Sequence, residues 1–98
     1  MAVMVTYIPD GISEQAYVEM QSALAQKQRD ARGFRLHAGV VDSGSLQTVT
    51  EVWDSEEDAR FWFDENVKPN LPAGVPTGSY QELHSVIVPR PGDVEGLD

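Results

Sequence analysis

Residues 46–63 read Leu-Gln-Thr-Val-Thr-Glu-Val-Trp-Asp-Ser-Glu-Glu-Asp-Ala-Arg-Phe-Trp-Phe. The first eight of these residues are rich in Thr and Val, and that composition predicts a β-strand. Asp54 with Glu57, or Ser55 with Asp58, has the spacing of a capping box, which marks the first turn of a helix. The apolar face of this helix carries Ala59, Trp62, Phe63 and Asn66, widened by Phe61. The stretch therefore predicts a strand followed at once by an amphipathic helix.

The rest of the chain supplies three further strands and one further helix. Residues 2–8 and 34–42 are rich in apolar residues, several of them β-branched, and residues 80–88 form a third run of this kind, so each predicts a strand. Residues 13–31 contain no Pro or Gly and repeat Tyr, Met and Leu at helical spacing. Ser13 is a suitable N-cap for this helix. Its expected apolar stripe consists of Tyr17, Met20 and Leu24.

The element order is β-α-β-β-α-β, which predicts a ferredoxin-like α+β fold. We expect an antiparallel sheet in which the fourth, first, third and second strands follow one another, with both helices on one face. Ser43-Gly44-Ser45 is the expected hairpin loop, and residues 70–79, with two Pro and two Gly, predict a loop before the last strand.

Both faces of the predicted sheet carry apolar side chains, yet two helices cover only one of them. The first strand alternates between Val3, Val5 and Tyr7 on one side and Met4, Thr6 and Ile8 on the other. The last strand would alternate in the same way, with Leu83 and Ile87 opposed to Val86 and Val88. An uncovered apolar face predicts a partner, and a two-fold homodimer joined through the sheets is the simplest one.

Length and composition narrow the classes of function. The chain has 98 residues, which fits one domain, expected over residues 1–88 with a mobile tail at 89–98. It has no Cys, so it forms no disulfide or thiolate metal site. A net charge of −9 opposes binding to nucleic acid or anionic membranes. Apolar runs are short and no signal peptide is visible, so we expect a cytoplasmic protein without a membrane span.

The run Glu51-Val52-Trp53-Asp54-Ser55-Glu56-Glu57-Asp58-Ala59, followed by Phe61-Trp62-Phe63, resembles a known strand-to-helix signature. It is that of the dimeric α/β-barrel superfamily and, within it, of the antibiotic-biosynthesis monooxygenase (ABM) domain. The element order extends the resemblance to about residues 2–88. The ending Tyr80 to Val88, with His84 in its middle, resembles small actinobacterial proteins of this type.

This resemblance implies a dimer whose two four-stranded sheets form one barrel, with a ligand cavity between the helices and the sheet of each protomer. Some members oxidise polyketide-derived quinols or anthrones with O2 and no cofactor. Some degrade haem, and others are cyclases, stress proteins or proteins of other roles. Fold alone does not choose among these chemistries.

Two departures from the family pattern bear on that choice. Haem-degrading members have a Trp on the second helix, where Trp62 stands, and a haem-ligating His further along it. No His occurs between residues 38 and 83 of this chain. Haem-degrading and quinol-oxidising members also tend to have an Asn on the first strand, and residues 2–8 contain none. The first departure counts most strongly against haem degradation.

His37 and His84 are the only histidines, and a neutral imidazole is the usual general base near neutral pH. We expect His84 to be the catalytic base, with His37 as the second candidate; a sheet histidine bonded to a neighbour is the alternative for each. The two lie on predicted strands at opposite edges of the sheet, so we expect them not to share a site within one protomer; they would meet only across a dimer contact. A metal set of both histidines with Glu51 or Glu82 is therefore not expected.

Aromatic side chains are the candidates for binding a flat ligand, or else they form the core. Those expected to bind substrate are Trp62, Phe63, Tyr17 and Tyr7, whereas Trp53 is expected to be structural. The first hypothesis is a cofactor-free, monooxygenase-like enzyme for a small aromatic or polyketide-type substrate. The second is a non-catalytic dimeric domain that binds a ligand or acts in stress, and haem binding ranks third. A void between helices and sheet that is large enough for a ring system favours an enzyme or binder, whereas a packed interior favours a purely structural domain.

Overall fold

The computed structural model describes residues 1–71 and 78–87. Its regular elements are β1 (Val3–Tyr7), α1 (Glu14–Arg29), β2 (Phe34–Asp42), β3 (Ser45–Trp53), α2 (Glu56–Trp62) and β4 (Ser79–Glu82). A π-helical turn (Phe63–Val67) and a 3₁₀ turn (Lys68–Asn70) continue α2. The ferredoxin-like β-α-β-β-α-β order is confirmed. In the part of the chain that the structure describes, no helix is long and apolar enough to cross a bilayer.

The sheet is antiparallel with the strand order β2-β3-β1-β4, as predicted. Its register defines the two faces, because directly paired residues point to the same side. One row, His37–Glu51–Val5–Tyr80, faces the helices. The neighbouring row, Leu36–Val52–Met4–Gln81, faces away from them. Strands β3 and β1 are central, and β2 and β4 are the edges.

Both helices begin where the sequence predicts. The Ser13 hydroxyl accepts a hydrogen bond from the Ala16 amide at 3.1 Å and caps α1. Of the two candidate caps for α2, Ser55 is the one used, and its hydroxyl accepts from the Asp58 amide at 3.1 Å. Side-chain caps of this kind satisfy amide groups that have no partner within the helix.

The core lies between α2 and the central strands. Val3, Val5 and Trp53 from the sheet pack against Ala59 and Trp62 from α2. The Trp53 ring meets Trp62 at a centroid distance of 6.1 Å and meets Phe34 edge-on at 5.3 Å. Trp53 is completely buried, as its expected structural role requires.

Two sequence predictions need correction, and parts of others lie outside the described residues. β4 ends at Glu82 rather than at residue 88, so Leu83, Val86 and Ile87 do not alternate across a strand. Phe61 does not join the apolar arc of α2; its side chain is 65% exposed. Residues 72–77 of the predicted loop, Val88 and the predicted tail at 89–98 lie outside the described residues.

Candidate functional site

A half-open cavity of about 80 Å³ lies between α1, the π-helical turn and the sheet. By comparison, a cavity that holds one buried water has a volume of roughly 10–15 Å³ when it is measured in the same way. The cavity walls are mostly aliphatic and aromatic. The polar groups that reach it are Tyr7, Tyr17, Gln21, Gln28, His37 and Glu51. A few polar groups in an apolar cavity are typical of a small-molecule site, although this volume lies below the roughly 300–1,000 Å³ of sites for drug-sized ligands.

Glu51 is the centre of a hydrogen-bond network at the floor of this cavity. The residue is only 4% exposed. Oε2 accepts from Gln28 Nε2 at 2.7 Å and lies 2.7 Å from His37 Nδ1, while Oε1 accepts from Trp53 Nε1 at 2.9 Å. A buried carboxylate without partners is strongly unfavourable, and three donors offset that cost.

The contact with Glu51 fixes the tautomer of His37. A carboxylate only accepts hydrogen bonds, so His37 Nδ1 carries a proton and donates it to Glu51. The neutral ring then has a lone pair at Nε2. Tyr17 Oη and Gln21 Nε2 each lie 2.7 Å from that nitrogen. The imidazole is therefore oriented by a carboxylate on one side and presents an acceptor atom beside the cavity, which is the arrangement of a general base.

A β-bulge brings His37 opposite Glu51. An unbroken register from the hairpin turn would pair His37 with Thr50. The register shifts by one residue next to Val40, on the turn side of His37, and His37 then pairs with Glu51. Bulges re-aim side chains in this way and are frequent beside active sites.

The start of α1 is attached to the β2–β3 hairpin, which places the helix over His37. The Glu14 amide donates to the Gly44 carbonyl at 2.8 Å, and the Leu46 amide donates to the Ile12 carbonyl at 2.8 Å. Gly44 has a positive φ of 79°, which glycine adopts without strain. This attachment sets the position of the first two turns of α1, from which Tyr17 and Gln21 reach the imidazole.

The four aromatic residues predicted to bind substrate, Tyr7, Tyr17, Trp62 and Phe63, all line this one cavity. His37 lines it as well. His84 lies beyond the end of β4, is exposed, and is not part of the cavity wall within residues 1–71 and 78–87. The two histidines are therefore separated within the protomer, as the strand order predicts.

Tyr7 also lines the cavity. Its ring stacks on Phe63 at a centroid distance of 5.1 Å. Its hydroxyl is buried and has no hydrogen-bond partner among the residues that the structure describes. Burial, assisted by nearby Tyr80, raises the pKa of Tyr7 far above its usual value. The Tyr7 hydroxyl thus remains protonated.

Sequence reasoning did not identify Glu51, Gln21 and Gln28 as members of this network. A signal for each is present in the sequence. Glu51 alternates with Trp53 and Val49 along β3, so it shares their buried face. Gln21 and Gln28 fall on the Tyr17–Leu24 face of α1, where apolar residues are expected. Polar residues at positions predicted to be buried are candidates for function.

Two solved structures resemble this fold over nearly the whole chain. The ActVA-Orf6 monooxygenase of Streptomyces coelicolor, solved with the ligand nanaomycin D, matches with a TM-score of 0.55 and 22% identity, covering 91% of each chain. A haem-degrading protein of Mycobacterium tuberculosis, solved without haem, matches with a TM-score of 0.51 and 18% identity, covering 90% of this chain and 100% of its own. The chain shares the fold of these two proteins. No protein-family model and no curated protein matches it.

The residues around the cavity do not fit haem. No His occurs on α2 or anywhere else between residues 38 and 83. The imidazole at the cavity, His37, has Tyr17 and Gln21 at the nitrogen that an iron would need. In the described ranges, no three His, Asp or Glu side chains come together to hold a metal ion.

Proposed function

We propose that this protein is a monooxygenase-like enzyme that uses His37 as a general base on a small aromatic or polyketide-type substrate. The observation that carries the proposal is the Glu51–His37 pair, whose acceptor nitrogen Nε2 lies beside an apolar cavity and in contact with Tyr17 and Gln21. The fold shared with a monooxygenase, solved with nanaomycin D, supports the same reaction class. The proposal replaces His84 by His37 as the preferred base, because His37 is the histidine that reaches the cavity.

The chemistry begins with proton transfer from a phenolic or enolic O–H to His37 Nε2. The electron pair of the broken O–H bond remains on the ligand and makes the ring carbons electron-rich. Glu51 stabilises the imidazolium that forms, because its carboxylate already accepts the Nδ1 proton. Tyr7, Trp62 and Phe63 hold the flat body of the ligand.

The ligand anion then reacts with O2. For an activated ring CH2, the products are a ketone and water: one oxygen atom enters the substrate and the other leaves as water. The substrate supplies all four electrons, so the balance requires no further reductant. Cyclisation of the same anion without O2 is the other reaction that this base supports.

A ligand screen followed by oxygen measurement tests this function. Thermal shifts are recorded with an anthrone, a naphthoquinol and haem. A ligand at about 100 times its Kd stabilises the folded state by about 2.7 kcal/mol. At roughly 4–8 °C per kcal/mol for a domain of this size, the Tm rises by roughly 10–20 °C. We expect the anthrone or the quinol to give this shift, and the anthrone, which has an activated ring CH2, to consume one O2 per molecule.

Three outcomes are distinguishable. A quinol-type shift with oxygen uptake supports the enzyme. A shift without oxygen uptake or any other product contradicts catalysis and supports the non-catalytic binding domain. If haem is the only stabilising compound and its Soret band shifts, the conclusion that the residues around the cavity do not fit haem is contradicted.

We also propose that the protein is a homodimer joined through the sheet face away from the helices. This face carries Leu36 and Val40, which are 48% and 55% exposed, beside half-buried Met4 and Val52. Exposed apolar side chains that adjoin one another on a sheet are typical of an interface. A two-fold axis would place this sheet face against the same face of the partner subunit, so both subunits would contribute the same surface.

Replacing Leu36 and Val40 together by Asp is expected to convert the dimer into a monomer, because charges desolvated at an interface are unfavourable. Sedimentation or light scattering after size exclusion measures the mass. Val18→Asp is the matched control, since Val18 is 53% exposed on α1, on the opposite side of the protomer. A wild-type chain that is monomeric at micromolar concentration would contradict this interface.

A further inference from the structure

Two hydrogen-bond donors converge on one acceptor atom at the cavity. Tyr17 Oη and Gln21 Nε2 both lie 2.7 Å from His37 Nε2. A neutral imidazole protonated at Nδ1 has one lone pair at Nε2, and one donor satisfies it. The second donor is therefore not needed to hold the imidazole in place.

Proton transfer to His37 reverses the role of this nitrogen. Once Nε2 holds a proton it donates, and it no longer accepts from Tyr17 or Gln21. Both donors lose their partner at the moment when a ligand oxygen becomes negatively charged. That oxygen must lie within hydrogen-bond distance of Nε2 to transfer its proton, so it lies next to both donors.

We propose that Tyr17 and Gln21 together bind the oxyanion that a phenol or enol forms when His37 removes its proton. In this step the ligand O–H bond breaks, its electron pair stays on the oxygen, and an N–H bond forms at Nε2. The oxyanion then accepts from the Tyr17 hydroxyl and the Gln21 amide. Interactions that strengthen only as charge develops lower the barrier rather than merely tightening binding. This inference rests on the proposed role of His37.

Tyr17 remains a donor in this environment. Burial raises the pKa of Tyr17 above its usual value, although the nearby Gln21 opposes part of the shift. The ring also lies against that of His37, with the planes inclined by 16° and the centroids 6.1 Å apart. The hydroxyl is thus both protonated near neutral pH and held beside the reacting nitrogen.

Gly39 is the positioning residue for Tyr17. It lies two residues after His37 on β2, on the same face of the sheet. A Cβ at Gly39 would overlap the Tyr17 hydroxyl and would lie only 2.6 Å from Cζ of the ring. The Tyr17 ring therefore reaches His37 only because residue 39 has no side chain. Gly39→Ala moves the hydroxyl without removing it.

The test compares 4-nitrophenol, whose phenolate is coloured, with nitrobenzene, a neutral analogue that forms no anion. Binding of each compound is measured by titration, and absorbance reports the ionised fraction of bound nitrophenol. A hydrogen bond to a charged group is worth roughly a 10- to 100-fold change in affinity. We expect Tyr17→Phe and Gln21→Leu each to lower the affinity for the phenolate by about this factor. Nitrobenzene affinity should change little.

Gly39→Ala supplies an independent variant. It should lower the affinity for the phenolate as much as Tyr17→Phe does. The double variant Gly39→Ala/Tyr17→Phe should bind the phenolate no more weakly than Tyr17→Phe alone, because both changes remove the same interaction. A thermal scan of each variant verifies that the protein is folded.

The outcomes separate this proposal from the one it rests on. If His37→Gln abolishes ionisation of the bound phenol but Tyr17→Phe and Gln21→Leu do not affect it, the oxyanion role of Tyr17 and Gln21 is wrong. The role of His37 as the base is then still supported. If the wild-type protein binds nitrophenol only in its neutral form, or binds neither compound, both proposals are wrong. Equal losses for nitrobenzene and phenolate would also overturn the oxyanion role, because they would indicate lost packing.

Discussion

Replacing His37 by Gln is expected to lower turnover by about 10²- to 10⁴-fold, the range that a positioned general base contributes. Glutamine keeps a donor for Glu51 but offers no nitrogen that takes a proton near neutral pH. The measurement is the initial rate of oxygen uptake with the ligand that gives the largest thermal shift. The Tm should change little, because the replacement side chain retains polarity and similar length.

His84→Gln is the matched control for this prediction. His84 is exposed and lies beyond the end of β4, away from the cavity wall. If His37 is the base, the His84 variant keeps the wild-type rate. A large loss in His84→Gln with an active His37→Gln would restore the original sequence prediction and contradict the assignment from the cavity. It would also indicate that the site is completed by a second protomer.

Glu51→Gln separates the contribution of the carboxylate from that of the imidazole. The amide keeps the size of the side chain but not its charge, so it no longer stabilises the imidazolium. We expect an intermediate rate, below the wild type and above His37→Gln. An unchanged rate would show that Glu51 only fills the floor of the cavity.

The fold could be predicted from the sequence because its signals are local. The strand-to-helix stretch at 46–63, the N-cap Ser13 and the turn at Ser43–Gly44 each specify their own element, and the element order then restricts the topology. The sequence predicts a longer β4 because residues 83–88 include one Leu and three apolar β-branched residues. In the structure β4 pairs with β1 only from Ser79 to Glu82, and the pairing ends where Glu82 lies opposite Val3.

The site could be predicted only in part, because it depends on register. The aromatic residues were predicted to bind a ligand because aromatic side chains suit a flat molecule and because the family resemblance implies a cavity beside Trp62. The His37–Glu51 pair was not predicted, because the bulge beside Val40 changes which residue faces His37. A one-residue shift of this kind leaves no clear mark in composition. Gly39 was missed for a related reason: its role is visible only when Tyr17 lies over it.

The largest expected effect on stability comes from Trp53→Ala. Trp53 is fully buried between Phe34 and Trp62, so its removal leaves a cavity at the centre of the core. Large-to-small changes of this type cost about 3–5 kcal/mol. For a domain of this size the Tm should fall by roughly 12–40 °C, measured by thermal unfolding. Phe61→Ala is the control, because Phe61 is also aromatic but mostly exposed, and it should change the free energy of unfolding by less than about 0.5 kcal/mol.

Trp53→Phe connects this core to the site. Phenylalanine retains much of the buried ring but lacks the indole N–H that donates to Glu51 Oε1 at 2.9 Å. The loss in free energy of unfolding should fall between those of Trp53→Ala and Phe61→Ala, because a hydrogen bond to a buried carboxylate is worth about 1.5–3 kcal/mol. Glu51 would then be held only by Gln28 and His37, so turnover should also fall. Loss of stability without any loss of turnover would mean that Trp53 supports the fold alone and that Glu51 orients His37 without help from the core.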